Sequence, residues 1–140
     1  MAKSTALKDS VVVDNVDLST FAHGVTPASE HEKIDVSGFN ATGADEFLAG
    51  KTEQSLDIDF WIGYGSNESF QVLWPLHRDR TVFDFAWRPD QTLPISATNP
   101  SLEGSVQLLT FSPAAARGEA RTGTFTFTAA DEDGLSYVYT

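Results

Sequence analysis

The sequence predicts a mainly β fold: an antiparallel β-sandwich or barrel of about 6–7 strands, with one short flanking α-helix and a long inter-strand loop. Three observations predict it. Apolar and polar residues alternate in short runs, most cleanly in Leu56-Asp57-Ile58-Asp59-Phe60 and in Thr124-Phe125-Thr126-Phe127-Thr128. Gly, Pro and Asn clusters punctuate those runs at the spacing of an all-β domain. Only one stretch, after Ser66-Asn67, has an N-cap followed by helical apolar spacing.

Taken in order, Met1–Ser10 is small, polar and basic and reads as a flexible arm. Residues 11–140 read as a single domain, since a chain of 140 residues favours one core. Val11-Val12-Val13 is a candidate strand and Val16-Asp17-Leu18-Ser19 follows it. Phe21–Gly24 reads as a turn. Val25–Lys33 is polar and holds Pro27, so a strand there is weak or lies at an edge. Ile34 and Val36 alternate with Asp35 and Ser37. Phe39–Gln54, rich in Gly and Ala, reads as a loop, with Asp45-Glu46-Phe47-Leu48 as at most one helical turn. Loops of that length in small domains are functional or disordered.

The Leu56–Ile62 strand comes next, then turn chemistry at Gly63–Asn67. A helix is expected through Glu68, Phe70, Val72, Leu73 and Trp74, bent or ended by Pro75. Thr81–Arg88 alternates, with Phe83, Phe85 and Trp87 as an aromatic inner face. Pro89, Pro94 and Pro100 mark an irregular region. Leu102–Phe111 is a strand whose phase slips near Leu109, the sign of a bulge. Ala120–Ala129 alternates Thr with Phe, a composition typical of sheet. Tyr137-Val138-Tyr139 is a last short strand.

Composition excludes several functions. Apolar residues make up 41% and aromatics 11%, which argues against disorder. The net charge of −11 argues against a nucleic-acid clamp, although a polyanion could pass such a surface without sticking. The absence of Cys excludes disulfides and thiolate metal sites. The N-terminus does not read as a signal peptide, and no run is long enough for a membrane helix. The expectation is a soluble chain that stays in the cytosol and inserts in no membrane.

No catalytic constellation emerges, and an enzyme is not expected. His23, His31 and His77 are scattered and lack metal-site spacing. His77-Arg78-Asp79 matches a kinase triplet, but no other kinase motif accompanies it. Asp131-Glu132-Asp133-Gly134 lacks the spaced ligands of a calcium loop. Asp57 and Asp59 would stand about 7 Å apart on one strand face, a separation compatible with glycoside hydrolysis, yet no sugar groove accompanies them. The glycosylation patterns at Asn40 and Asn67 mean nothing without secretion. At least two of Trp61, Trp74 and Trp87 are expected in the core. Trp61 is out of phase with Leu56, Ile58, Phe60 and Ile62, so it is either a subunit contact or a Trp covered by local structure.

The succession of short motifs resembles a known family. Val16-Asp17-Leu18-Ser19-Thr20, then Lys33-Ile34-Asp35-Val36-Ser37-Gly38-Phe39, then Leu48-Ala49-Gly50-Lys51 leading into Ser55–Phe60, is similar to the tail tube (major tail) proteins of long-tailed phages. Their short helix, strand and final hairpin have counterparts in Ser69–Leu76, Thr81–Trp87, Leu102–Ser112 and Glu119–Thr128. The resemblance spans Val11–Ala130. It departs at Ser37, Asn40 and Phe47, where the family favours Thr, Gly and Pro, and these departures bear on the loop's conformation.

The resemblance implies a structural subunit. Six copies would form a ring with sheets joined into an inner barrel, and rings would stack into a tube. DNA would pass the lumen during ejection without specific binding. The loop residues Phe39, Asn40, Thr42, Asp45, Glu46, Phe47, Leu48 and Lys51 would make the inter-ring contact. Asp57 and Asp59 would face the lumen. Partners would be further copies and other tail proteins such as terminator, tape measure and baseplate, with no cofactor. The protein would be made in the bacterial host cytoplasm and reside in the virion tail. Alternatives are a tail terminator, head–tail connector or capsid decoration protein. A small ligand- or carbohydrate-binding β-sandwich, with Trp61, Trp74 or Trp87 as a stacking platform, belongs to a different class.

Overall fold

Each alternating run of the sequence pairs with a neighbour. The structure, a computed structural model, describes residues 8–39, 42–130 and 134–139. The elements are β1 (Ser10–Val13), β2 (Val16–Asp17), β3 (Ala22–Asp35), β4 (Phe47–Trp61), α1 (Ser69–Arg78), β5 (Val82–Arg88), β6 (Ser101–Ala114), β7 (Thr122–Ala129) and β8 (Ser136–Val138). All eight strands join one antiparallel sheet in the order β2-β1-β5-β6-β7-β4-β3, with β8 paired to β6. β5 takes one side of β6 along Leu102–Gln107. On the other side β7 takes Val106–Ala114 and β8 takes Ser101–Glu103, so β8 resumes where β7 leaves off.

One face of the sheet builds the core. Leu56, Ile58 and Phe60 of β4 are buried with Phe83 and Phe85 of β5, Val106 and Leu108 of β6, and Phe125 and Phe127 of β7. Val11 and Val13 of β1 and Leu73 and Leu76 of α1 complete the same cluster. A sheet with one buried face and one ten-residue helix must curl to close its core. The curl brings the ends of the sheet together: Val11 of β1 and Ala22–Val25 of β3 line one small cavity. The four-residue link from β2 to β3 buries Leu18, and the Ser19 hydroxyl accepts from the Val11 amide at 2.9 Å.

The helix forms around a fault. Pro75 lies inside α1 rather than ending it. It removes one backbone donor, but the flanking Leu73 and Leu76 are buried in the core and hold the turn. The N-cap is Glu68, without a side-chain cap, instead of Ser66 or Asn67. Ser69 anchors the helix start, donating to the Trp61 carbonyl at 2.7 Å and accepting from the Gly63 amide at 3.0 Å.

Several expectations are corrected. Phe21–Gly24 is not a turn, because β3 starts at Ala22. β3 is an edge strand, where Pro27 is tolerated. Phe39–Gln54 is not all loop: β4 begins at Phe47, and the pairing runs out to Asp35↔Phe47. The helical turn at Asp45–Leu48 does not form, because Phe47 and Leu48 have partners across the ladder. No Trp is fully buried; Trp61 and Trp74 are exposed and Trp87 only packs against the core. The smaller Phe rings fill the interior instead. At the N-terminus, Asp9 accepts from the Trp87 indole at 2.8 Å and Ser10 opens β1, so the end of the expected arm is tied to the body. Met1–Leu7 and the acidic residues 131–133 lie outside the described residues. The expected bulge is present: the β6–β7 register shifts between Leu108 and Thr110.

Candidate assembly interface

The β3–β4 hairpin outruns the sheet. β7 pairs with β4 only along Ser55–Trp61. Beyond Ser55, β3 and β4 pair with each other, and almost every described residue from Ala28 to Glu53 is exposed, on both faces. The base of this two-stranded arm is stapled by Gln54. Its side-chain amide donates to the Leu135 carbonyl at 2.7 Å and accepts from the Leu135 amide at 2.8 Å, imitating a backbone pair across the gap before β8. Gly134 fits beneath that amide because it has φ +64° and no Cβ.

The arm carries apolar surface that nothing covers. Ile34 and Leu48 are direct cross-strand partners, 43% and 60% exposed. Gly50 leaves room for the Ile34 side chain, whose Cδ1 would lie 2.7 Å from a Cβ there. Val36 extends the stripe, donating its amide to the Glu46 carbonyl at 2.9 Å. Phe39 at the tip is fully exposed. Lys33 sits over the Phe47 ring at 3.8 Å. Short bonds tie the two strands together near the end of the ladder: Ser37 donates its amide to Asp35 at 2.8 Å, and its hydroxyl accepts from the Glu46 amide at 2.7 Å. The Ser37 hydrogen bonds hold the Asp35 carboxyl below its ordinary value. Six acids, Glu30, Glu32, Asp35, Asp45, Glu46 and Glu53, face two lysines, Lys33 and Lys51, along the arm.

The structure therefore brings together Phe39, Asp45, Glu46, Phe47, Leu48 and Lys51 on one projecting ribbon. Thr42 lies in the connecting residues of the tip, and Asn40 falls outside the described residues. Phe47, Leu48 and Lys51 are strand residues rather than loop residues. Ile34 and Val36 belong to the same surface. Alternation showed that they share a face, and the absence of a third strand leaves that face uncovered.

Asp57 and Asp59 lie elsewhere, on the solvent face of the sheet opposite the core. The Thr126 hydroxyl donates to Asp57 and the Thr124 hydroxyl to Asp59, each at 2.7 Å. Thr110 and Ser112 of β6 continue this row, which contains no Lys or Arg. The Thr partners follow from register, which alternation within one strand cannot supply. Trp61 closes one end of the face, with one side stacked on His23 at 4.2 Å and the rest exposed. His23 is held in turn by Thr122 at 2.9 Å. Trp74 and Trp87 have different neighbours, Phe111 and Asp9 respectively, so the three indoles do not act as one platform.

Among the described residues no group of three His, Asp or Glu side chains is placed to hold a metal. None of the described helices is long and apolar enough to cross a membrane.

No family model matches the sequence, and no curated protein does either. Solved structures match the fold over nearly the whole chain. A chain of the virion of a native gene transfer agent particle superposes with a TM-score of 0.76 at 14% identity, over 97% of this chain and 99% of that one. A chain of the C6-symmetric tail of an empty gene transfer agent particle gives 0.71 at 14% identity, over 99% of each chain. The SPP1 tail tube gives 0.68 at 8% identity, over 95% of this chain and 76% of that one. The fold thus agrees with the motif resemblance to tail tube proteins.

Proposed function

We propose that the chain is a structural subunit of a phage-type tail tube and not a catalyst. Copies close into a ring, six by analogy with the C6 tail, and rings stack into a tube within the virion tail. The observation that carries this is the arm. A lone two-stranded hairpin is marginal in water, and this one also exposes Ile34, Val36, Phe39 and Leu48. It gains a stable environment only when another chain covers it. The edge strands β2 and β3 are the complementary opportunity, since lateral pairing between copies would remove the exposed edges.

In this assembly the Asp57/Asp59 face lines the lumen. Its carboxylates are fixed by Thr hydroxyls and unpaired with cations, so it presents DNA with a negative, non-adhesive wall. A role elsewhere in the tail is the second reading. It is favoured by the 6-fold baseplate of the anti-feeding prophage, which matches with a TM-score of 0.58 at 12% identity over 99% of this chain. Negative-stain microscopy at rising protein concentration tests both. Open-ended tubes are expected; rings that never stack would favour the second reading, and a persistent monomer would exclude both.

A further inference from the structure

Resting on the proposal that copies join through the arm, we infer where the arm lands: in the cleft between α1 and β6 of another copy. The cleft is lined by Trp74, His77, Arg78, Arg80, Gln107 and Leu109. Leu109 is pushed out of β6 by the bulge and is 54% exposed. Trp74 leans on Phe111 at 5.2 Å, and Phe111 on Phe70 at 6.1 Å, which meets Tyr64 at 5.0 Å. This aromatic string runs beside the cleft and ends in exposed Tyr64 and Trp74. It is a second uncovered apolar surface, on a different part of the molecule from the arm.

Charge selects the occupant. The chain has 20 acids against 9 Lys and Arg. Two of those arginines rim the cleft, and Arg121 lies over Tyr64 at 5.9 Å. Among the described residues Arg78 is engaged by its neighbour Asp79, at 3.1 and 3.3 Å, in a pair whose two side chains are both more than half exposed to solvent. The arm presents Glu46 on the face of Ile34, Val36 and Leu48, Asp35 on the opposite face with Phe47, and Asp45 just before β4. Apolar surface meeting apolar surface supplies affinity, and acids meeting arginines set orientation. Arm-to-arm pairing would instead oppose two sets of six acids. Arm and cleft are distinct patches of one chain, so the contact is heterologous and propagates from copy to copy instead of closing as a two-fold dimer.

Cysteine cross-linking tests the contact, because engineered cysteines are the only thiols in the chain. Leu48 and Leu109 are both exposed, so Leu48→Cys and Leu109→Cys leave the fold intact. On oxidation of assembled protein, the double variant should give a ladder of covalent oligomers, and each single variant nothing beyond a dimer. Independently, Arg78→Glu with Arg80→Glu should raise the concentration needed for assembly by about tenfold or more. Adding Asp45→Lys and Glu46→Lys should restore it. Tubes that form without a ladder, and that ignore the charge reversal, overturn this docking while leaving the tube proposal standing. A wild-type chain that never assembles overturns both.

Discussion

The two halves of the β3–β4 hairpin share one ribbon but are held by different forces. In the proximal half, Ala22–Pro27 faces Leu56–Phe60, and β4 has β7 on its other side. Leu56, Ile58 and Phe60 there are buried almost completely. In the distal half, Ser29–Asp35 faces Phe47–Gln54 with no third strand, and its apolar residues lie in solvent. Both halves satisfy the hydrogen bonds of a ladder, so pairing alone does not distinguish them. What differs is a neighbour against which to bury a face. The proximal half finds it in its own chain, whereas in the proposed assembly the distal half finds it in another copy.

Substitutions can break that contrast. The largest effect is expected for Phe60→Ala, which removes a ring in contact with Phe125 at 5.6 Å. It should cost about 3–5 kcal/mol and lower the thermal midpoint of the monomer by roughly ten degrees. Calorimetry showing an unchanged midpoint would mean that the proximal half is not core. Next comes Ile34→Asp combined with Leu48→Asp in the arm. Monomer stability should stay within about 0.5 kcal/mol for each exposed site, while tubes disappear from micrographs. A midpoint that falls as far as in Phe60→Ala would mean that the arm packs in cis. The smallest effect on assembly is expected on the proximal half's solvent face. Asp57→Lys with Asp59→Lys loses two Thr–carboxylate bonds, about 1 kcal/mol each. Tubes should still form but retain DNA, measured by co-sedimentation at low salt. DNA passage identical to the wild type would remove Asp57 and Asp59 from the lumen.

Much of the fold was legible because it is local. The Thr/Phe alternation of β7 is a period-2 signal that needs no partner to be read, and the phase slip at Leu109 marked its bulge for the same reason. Of the two outcomes expected at Pro75, a bend or an end, the end does not occur: α1 continues to Arg78, with Leu73 and Leu76 buried on either side. In the arm, Gly43, Gly50 and the alanines look like loop chemistry, yet Lys33–Asp35 finds a partner in Phe47–Ala49 across the hairpin. Gln54 gave no signal at all, since its bond to Leu135 joins residues 81 positions apart.

The sequence by itself determined that the alternating runs form strands, which face of Leu56–Phe60 is apolar, and that the chain is strongly acidic, because alternation and charge are carried residue by residue. Only the tertiary structure decided that Leu56, Ile58 and Phe60 are buried while Ile34, Val36 and Leu48 are not. The patterns are alike; burial depends on whether a third strand is present, and strand neighbours are chosen by register between distant segments.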